Sequence, residues 1–492
     1  MNPLFLIDFY KVGHVSQYPS DTEQVWSNLT PRSTHVKGQD KKVFFVLQYF
    51  IKEIMLKEWN EQFFGQPLES ILAEYKEVIK ATLGVADPKT DHIEFLHKLG
   101  YLPLDLYSIP EGFSVNLGTP VLVMTNTVKE CFWLPNYFET ILSNILWKPC
   151  TSASTAKIYR KIFVDFARKA GETDFSFVDW QGHDFSERGM SGREDAILSG
   201  MGHLLSFSGT DTVPAILAAK KYYGAELTCG GSVPATEHSV MCAYGQEGEF
   251  ETFRHLIEDV YPTGIVSIVS DTWDLWEVLT NYIPKLKDKI LARNGKVVIR
   301  PDSGDPVKIM IGDLDAQLKE YPWTKPPAYY GVIELLDQTL SSVKQNGYKL
   351  IKNAGAIYGD SITFDRAYRI LDGLMNKGFH PYNAVFGIGS YTYEYVTRDT
   401  YGLAMKATAV KRADKIIDIF KKPVTDNGGK NSHKGIPIVY RTESSTEEKP
   451  EYFTVQGGSP EQLDKCAFQK SFSNGKLVID EKFDTIRKRV RM

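Results

Sequence analysis

The sequence predicts an α/β protein: an irregular βα-barrel beside a second, β-rich domain built from both chain ends. Three observations predict it. Between residues 174 and 395, strand-like segments, polar loops and helical segments alternate, the pattern of parallel βαβ units. An aspartate stands just past each of five strand-like segments: Asp184, Asp211, Asp271, Asp302 and Asp360. Short β segments punctuated by Pro and Gly occupy residues 104–125 and recur after Tyr391. In a βα-barrel every strand's carboxyl end opens onto one face. In an open doubly wound sheet the ligand sits mainly at one switch point, where acids at every strand end would serve less. A helix N-cap accounts for any one of these acids; five at one relative position favour the barrel. The domains are read as 1–150 plus 396–492 (β-rich, discontinuous) and 151–395 (the barrel).

Bulk numbers agree with a soluble enzyme-sized protein. The chain has 492 residues, more than one core usually serves. Apolar content of 42% and charged content of 24% are ordinary for a globular chain. A net charge of −4 argues against nucleic acid as a partner. No apolar run reaches bilayer length, so no membrane partner is expected. The stretch Met1–Asp8 lacks the basic region of a signal peptide. Five scattered cysteines fit neither zinc nor disulfide spacing, and a reducing cytoplasm is the expected compartment.

Element by element, residues 1–40 open with Asp8-Phe9-Tyr10-Lys11 and His14 and read as a surface segment with a turn at Tyr18–Asp21. Phe45, Leu47, Phe50, Ile51 and Ile54 have mixed helical spacing, and residues 68–99 read as two surface helices broken at Pro88. Leu106–Ile109, Phe113–Leu117 and Val121–Thr125 read as strands separated by Pro110-Glu111-Gly112 and Gly118-Thr119-Pro120. Two helices follow, one with Phe138, Ile141, Leu142, Ile145 and Leu146 on one face, the other over Thr151–Ala170 and stopped by Gly171. In the barrel region the predicted strands are Phe175–Trp180, Ile265–Val269, Val297–Ile299, Ala356–Tyr358 and Ala384–Phe386. Leu403–Val410, Ile416–Phe420, Ile436–Tyr440 and Tyr452–Val455 are strand candidates of the tail, with a polar, glycine-rich loop at Asp426–Lys434.

The chemistry concentrates at Val297–Pro306. Three β-branched residues predict a strand buried on both faces. Arg300 places a permanent cation at its end, and Pro301 forbids further pairing. Asp302, Ser303, Gly304 and Asp305 then form a tight polar loop. Such charges are costly unless they meet a ligand, a metal or each other, and a salt-bridged βα turn is the plain structural account. Convergent Arg188, Arg300 and carboxylates suit a substrate whose phosphates are bridged by Mg²⁺. Gly387-Ile388-Gly389-Ser390 offers backbone amides to a terminal phosphate. His238, next to Glu237, has the chemistry of an acid, a base or a nucleophile; a satisfied core histidine is the alternative.

These stretches resemble the nicotinamide phosphoribosyltransferase family over nearly the whole chain. The motifs are Asp8-Phe9-Tyr10-Lys11…His14…Gln17-Tyr18-Pro19, Pro110-Glu111-Gly112-Phe113, His183-Asp184-Phe185…Arg188-Gly189 and Gly209-Thr210-Asp211-Thr212-Val213. Ser232-Val233-Pro234-Ala235-Thr236-Glu237-His238-Ser239, Val269-Ser270-Asp271, Ile299-Arg300-Pro301-Asp302-Ser303-Gly304, Gly359-Asp360 and Thr397-Arg398-Asp399 complete them. The resemblance implies transfer of phosphoribosyl from 5-phosphoribosyl 1-pyrophosphate to nicotinamide, in a homodimer with Mg²⁺, for NAD salvage. It also implies ATP hydrolysis coupled through a phosphohistidine.

By residue, the resemblance implies that Phe185 and Tyr10 of the partner subunit sandwich the pyridine ring, and that Asp211 accepts from the carboxamide. A carboxylate there repels nicotinate. Arg188 and Arg300 would bind the amide oxygen or the phosphates. Asp302 and Asp360 would face the ribose and the metal–pyrophosphate, with Mg²⁺ held mainly by the pyrophosphate. Ser267 would contact substrate. Gly389 and Ser390, with Arg398 and Lys406 from the partner subunit, would hold the 5′-phosphate. His238, supported by Glu237 and Asp271, would be phosphorylated. The chain departs from the family pattern at Ser186-Glu187, Tyr358, Ile388, Ser390-Tyr391 and Ala404. The rival readings are a nicotinate phosphoribosyltransferase, which Asp211 disfavours, and a non-catalytic signalling or scaffold protein on this fold.

Overall fold

Six short parallel strands, each handing over to a polar loop at its carboxyl end, organise one of two compact units. The computed structural model describes residues 1–317, 325–421, 425, 432–446 and 450–492; positions 426–431 of the predicted Asp426–Lys434 loop lie outside them. The barrel unit comprises Thr155–Leu217 and Glu226–Tyr395. Its strands stand in the order Gly209–Thr210, Gly182–Asp184, Ala384–Ile388, Ala354–Tyr358, Gly295–Arg300 and Gly264–Val269. All neighbouring pairs are parallel. Bridges Gly209–Gly231 and Ala235–Ser267 join one irregular segment to both edges and close the sheet. Pro234 lacks an N–H, so this segment keeps isolated bridges instead of a strand. Its carbonyl still accepts from Ser267 N at 2.9 Å.

Parallel pairing in a closed sheet puts every strand's carboxyl end on one face. Val297 and Ile299 join the apolar core, while Val298 and Arg300, on the other face of the strand, are half-buried. The expected burial on both faces therefore holds for one face only. The strand predicted at Phe175–Trp180 is absent: Val178–Gln181 is a helical turn and the strand begins at Gly182. Phe175 and Phe177 pack on the core from that turn, so their alternation imitates a strand.

The two helices predicted before it are one, Glu139–Lys169, with Pro149 inside. Burial of Leu146, Cys150 and Ala153 on either side of the proline favours the continuous helix. Gly171, at φ +85°, ends the segment as expected, its amide bonding Arg168 O at 3.0 Å.

The other unit is Met1–Ser154, Ala218–Ala225 and Val396–Met492. Its seven-stranded antiparallel sheet orders Lys415–Asp418, Leu403–Arg412, Thr22–Pro31, Leu122–Asn126, Leu104–Ser108, Gln469–Ser473 and Lys476–Leu477, so both chain ends share one sheet. Thr22–Pro31, read from the sequence as surface, is central. Its Ser27 and Asn28 are buried and hydrogen-bond Asn136 Oδ1 at 2.8 Å and Thr408 Oγ1 at 3.0 Å, which hides the apolar pattern. Ser114–Asn116 pairs instead with Lys41–Val43 in a separate ribbon. The five cysteines are free, and no helix among the described residues is long and apolar enough to cross a membrane.

Lys42 is a cost this unit carries. It is 2% exposed, donates to Thr151 Oγ1 at 3.0 Å and lies 4.5 Å from the Tyr401 ring centroid. Burial lowers its pKa from 10.5 to about 8. The unfolded chain therefore binds the proton more tightly, the penalty is full below about pH 8, and stability rises as pH climbs toward 10.5. Lys42→Met is expected to stabilise the protein by about 2 kcal/mol at pH 7. Denaturant unfolding at pH 7 and pH 10 checks this: the gain should shrink at the higher pH.

Candidate active site

Asp271 ties two strand-end loops together. Its Oδ2 accepts the amides of Asp302 and Ser303, both at 2.7 Å, which fixes the turn that follows Arg300. Pro301 and Gly304, the latter at φ +91°, give that turn its shape. The Arg300 guanidinium lies 3.5 Å from Asp302 Oδ2 and 4.9 Å from the Phe185 ring centroid. Part of the salt-bridged turn read from the sequence is thus present. It leaves Arg300 Nε, Asp302 Oδ1 and Asp271 Oδ1 buried without a hydrogen-bond partner. Three unpaired polar atoms on adjoining loops are what a bound polar ligand would satisfy. Burial raises the Asp302 pKa, Asp271 and Asp360 add to the rise, and Arg300 and His238 oppose it.

The ring-binding candidates adjoin this turn. Phe185 sits 5.1 Å from the His183 ring, and a Cβ on Gly387 would fall on the Phe185 ring. A Cβ on Gly209 would likewise fall on His183 Nδ1, so glycine at both positions leaves room for the aromatic pair. His183 Nε2 lies 3.2 Å from Asp211 Oδ1, and Ser232 Oγ donates to the same oxygen at 2.6 Å. Burial would raise the Asp211 pKa, but these hydrogen bonds and the charges of His183 and Arg300 hold it below its ordinary value. Asp211 is therefore an ionised acceptor that remains partly exposed. Arg188 is exposed on the Glu187–Gly189 turn.

His238 begins the helix His238–Ala243. Its Nδ1 is 3.1 Å from Thr272 Oγ1, and its Nε2 is 4.0 Å from Asp271 Oδ1. The Glu237 carboxylate accepts from Ser239 Oγ. Ser267 is buried on its strand, and Asp360 is exposed past Tyr358. Gly389 and Ser390 follow the Ala384–Ile388 strand, where a Cβ on Gly189 would fall on Ser390 Oγ. The carboxylates here offer only hard oxygen donors, which suit Mg²⁺. Among the described residues no three His, Cys, Asp or Glu side chains form a metal cage. Asp302, with its unpaired Oδ1, fits a cation held chiefly by a ligand's own phosphates.

None of the five strand-end aspartates caps a helix among the described residues. Asp184 is buried, its Oδ1 accepting from Ser186 N at 2.9 Å and Ser186 Oγ at 2.7 Å. This explains one departure: the Ser186 hydroxyl and amide bond one oxygen of a buried carboxylate, whose Oδ2 has no hydrogen-bond partner among the described residues. Tyr358 explains another, donating to Gly304 O at 3.0 Å and bracing the Arg300–Gly304 turn.

The remaining candidates cluster in the sheet unit. Tyr10 is 60% exposed and donates to Asp8 Oδ2 at 3.2 Å. Lys11 Nζ and Lys406 Nζ flank Glu139 at 2.5 Å and 3.0 Å. Arg398 lies near enough to Tyr10 to offset part of its raised pKa, which burial, Asp8 and Glu139 produce. Ala404, paired with Thr30, contributes no hydroxyl. Sequence reasoning assigned no role to His183, Ser232, Thr272 or Glu139. Ser232 belongs to one of the resembling motifs, but hydroxyl contacts between loops leave no spacing signal.

Residues 180–472 match the nicotinate phosphoribosyltransferase (NAPRTase) family, and residues 2–62 match the N-terminal domain of nicotinamide phosphoribosyltransferase. The chain is 47% identical to a nicotinamide phosphoribosyltransferase of Acinetobacter baylyi over 100% of its own length and 97% of the relative's. It is 36% identical to the enzyme of that name in Mycoplasma pneumoniae, covering 89% and 97%. Human nicotinic acid phosphoribosyltransferase shares the fold at TM-score 0.56 and 14% identity, over 99% of this chain and 93% of the other.

Proposed function

Since the chain belongs to the nicotinate phosphoribosyltransferase family, as a nicotinamide phosphoribosyltransferase, we propose that it forms nicotinamide mononucleotide from nicotinamide and 5-phosphoribosyl 1-pyrophosphate in NAD salvage. The observation that carries the choice of nicotinamide is the ionised Asp211, fixed by His183 and Ser232 beside Phe185. It accepts from a carboxamide N–H and repels a carboxylate. The pyridine nitrogen attacks the ribose C1′ as the bond to pyrophosphate breaks, and no proton moves. What remains is positional and electrostatic work. Phe185 orients the ring, Arg300 and Arg188 stabilise the departing charge, and Ser267, Asp302 and Asp360 face the sugar. Gly389 and Ser390 hold the 5′-phosphate. Mg²⁺ on the diphosphate would neutralise the leaving group, with Asp302 beside it. A competition assay with both pyridines tests this reading: nicotinamide should dominate, and faster turnover of nicotinate would overturn it.

ATP coupling belongs to the same proposal. His238, held between Thr272 and Asp271, takes the γ-phosphoryl of ATP as ADP leaves, and water later releases it as phosphate. His238→Ala should abolish stimulation by ATP and leave slow basal transfer; unchanged stimulation would refute the role. The exposed Tyr10, with Arg398 and Lys406, would complete the site of a second subunit in a homodimer. Mixing inactive Phe185→Ala and Arg398→Ala protomers should then restore activity, since mixed dimers regain one intact site.

A further inference from the structure

A fully buried imidazole joins the two ends of the barrel site. His203, on the helix Arg193–Leu204, is 0% exposed. Its Nε2 lies 2.9 Å from Gly209 O and its Nδ1 2.6 Å from the Tyr393 hydroxyl. A carbonyl only accepts, so Nε2 carries a proton toward Gly209 O, while Nδ1 shares a hydrogen bond with the Tyr393 hydroxyl. Burial far raises the Tyr393 pKa, with Asp184 and Tyr159 adding to it, so that hydroxyl keeps its proton. Gly209 opens the strand Gly209–Thr210 that Asp211 follows, and its lack of a Cβ makes room for His183. Tyr393 closes the turn Ser390–Tyr393, and its amide bonds Gly389 O at 3.2 Å. One ring thus spans from the strand that precedes Asp211 to the Gly389–Ser390 turn.

We propose that His203 is a positioning residue that sets the distance between the pyridine end and the phosphate end of the site. The proposal rests on the reading that Asp211 and Gly389–Ser390 hold those two ends. An imidazole is well suited to this role, because these two ring hydrogen bonds point in fixed directions from one rigid plane. Loss of either bond leaves a buried polar group unpaired and lets the phosphate-binding turn move relative to Asp211.

The test is calorimetric binding of 5-phosphoribosyl 1-pyrophosphate and of nicotinamide mononucleotide to the full-length protein, with turnover measured in parallel. Tyr393→Phe and His203→Leu should each weaken 5-phosphoribosyl 1-pyrophosphate about tenfold. His203→Gln keeps one donor and one acceptor and should stay within about threefold of the parent. The double variant Tyr393→Phe/His203→Leu should bind no more weakly than His203→Leu alone, because both act through one strut. Thermal unfolding identifies folded variants; if His203→Leu does not fold, Tyr393→Phe decides. Unchanged affinity in folded Tyr393→Phe overturns the strut while parent turnover of nicotinamide upholds the functional reading. Parent protein that binds 5-phosphoribosyl 1-pyrophosphate but ignores nicotinamide overturns the functional reading and leaves the affinity comparison valid. A parent that binds neither ligand overturns both.

Discussion

Asp211→Asn is expected to lower the preference for nicotinamide over nicotinate about 100-fold, measured as the ratio of the two kcat/KM values. Two unit charges about 4 Å apart repel by about 4 kcal/mol at an effective dielectric of about 20. Asp211 has a side chain 45% exposed, so solvent screens part of that repulsion. About 2–3 kcal/mol then remains, which corresponds to roughly two orders of magnitude. Asparagine keeps the shape and still accepts from Ser232 Oγ, so the change isolates the charge. Nicotinamide turnover should fall modestly, and nicotinate turnover should rise. An unchanged ratio would mean that the carboxylate does not read the substituent at the pyridine's 3-position.

Asp271→Ala should cost more in rate than any other change outside the substrate contacts. It removes the acceptor of two backbone amides, the half-buried one of Asp302 and the exposed one of Ser303, and the acid beside His238. The half-buried Asp302 amide left without its acceptor costs about 1–3 kcal/mol, while the exposed Ser303 amide turns to solvent, and the freed turn carries Arg300 and Asp302 away from their set positions. The expected loss is about 100- to 1000-fold in kcat/KM, with a drop in stability of about 1–3 kcal/mol. Asp271→Asn separates the two roles. Its carbonyl oxygen still accepts both amides, so the turn and basal transfer should persist while ATP stimulation falls. Equal damage from Ala and Asn would show that charge, not turn geometry, is what the barrel needs there.

The barrel was legible because most of its strands are short apolar runs stopped by a polar residue or a glycine: Ser270, Arg300 and Gly359. Ile265–Val269, Val297–Ile299 and Ala356–Tyr358 read directly as strands for that reason. Thr22–Pro31 was illegible because its inward polar residues find partners on neighbouring elements, so burial there does not show as hydrophobicity. Phe175–Trp180 misled in the opposite sense, two aromatics from a turn imitating alternation. The two predicted helices are one because residues on both sides of Pro149, among them Leu146, Cys150 and Ala153, are buried together. In the site, positions just past the strands could be named from the chain alone. The hydroxyls that orient them could not: Ser232 on Asp211, Thr272 on His238 and Ser186 on Asp184 act across loops or within one turn. The same holds for Lys42, whose cost arises only once the ribbon it sits on is folded against Thr151 and Tyr401.

A crystal structure with nicotinamide mononucleotide bound tests the central claim most directly. The pyridine ring should lie against Phe185 with its carboxamide N–H on Asp211, and the 5′-phosphate should rest on Gly389 and Ser390. Density for the nucleotide at any other place, with the loops after the barrel strands empty, would contradict it.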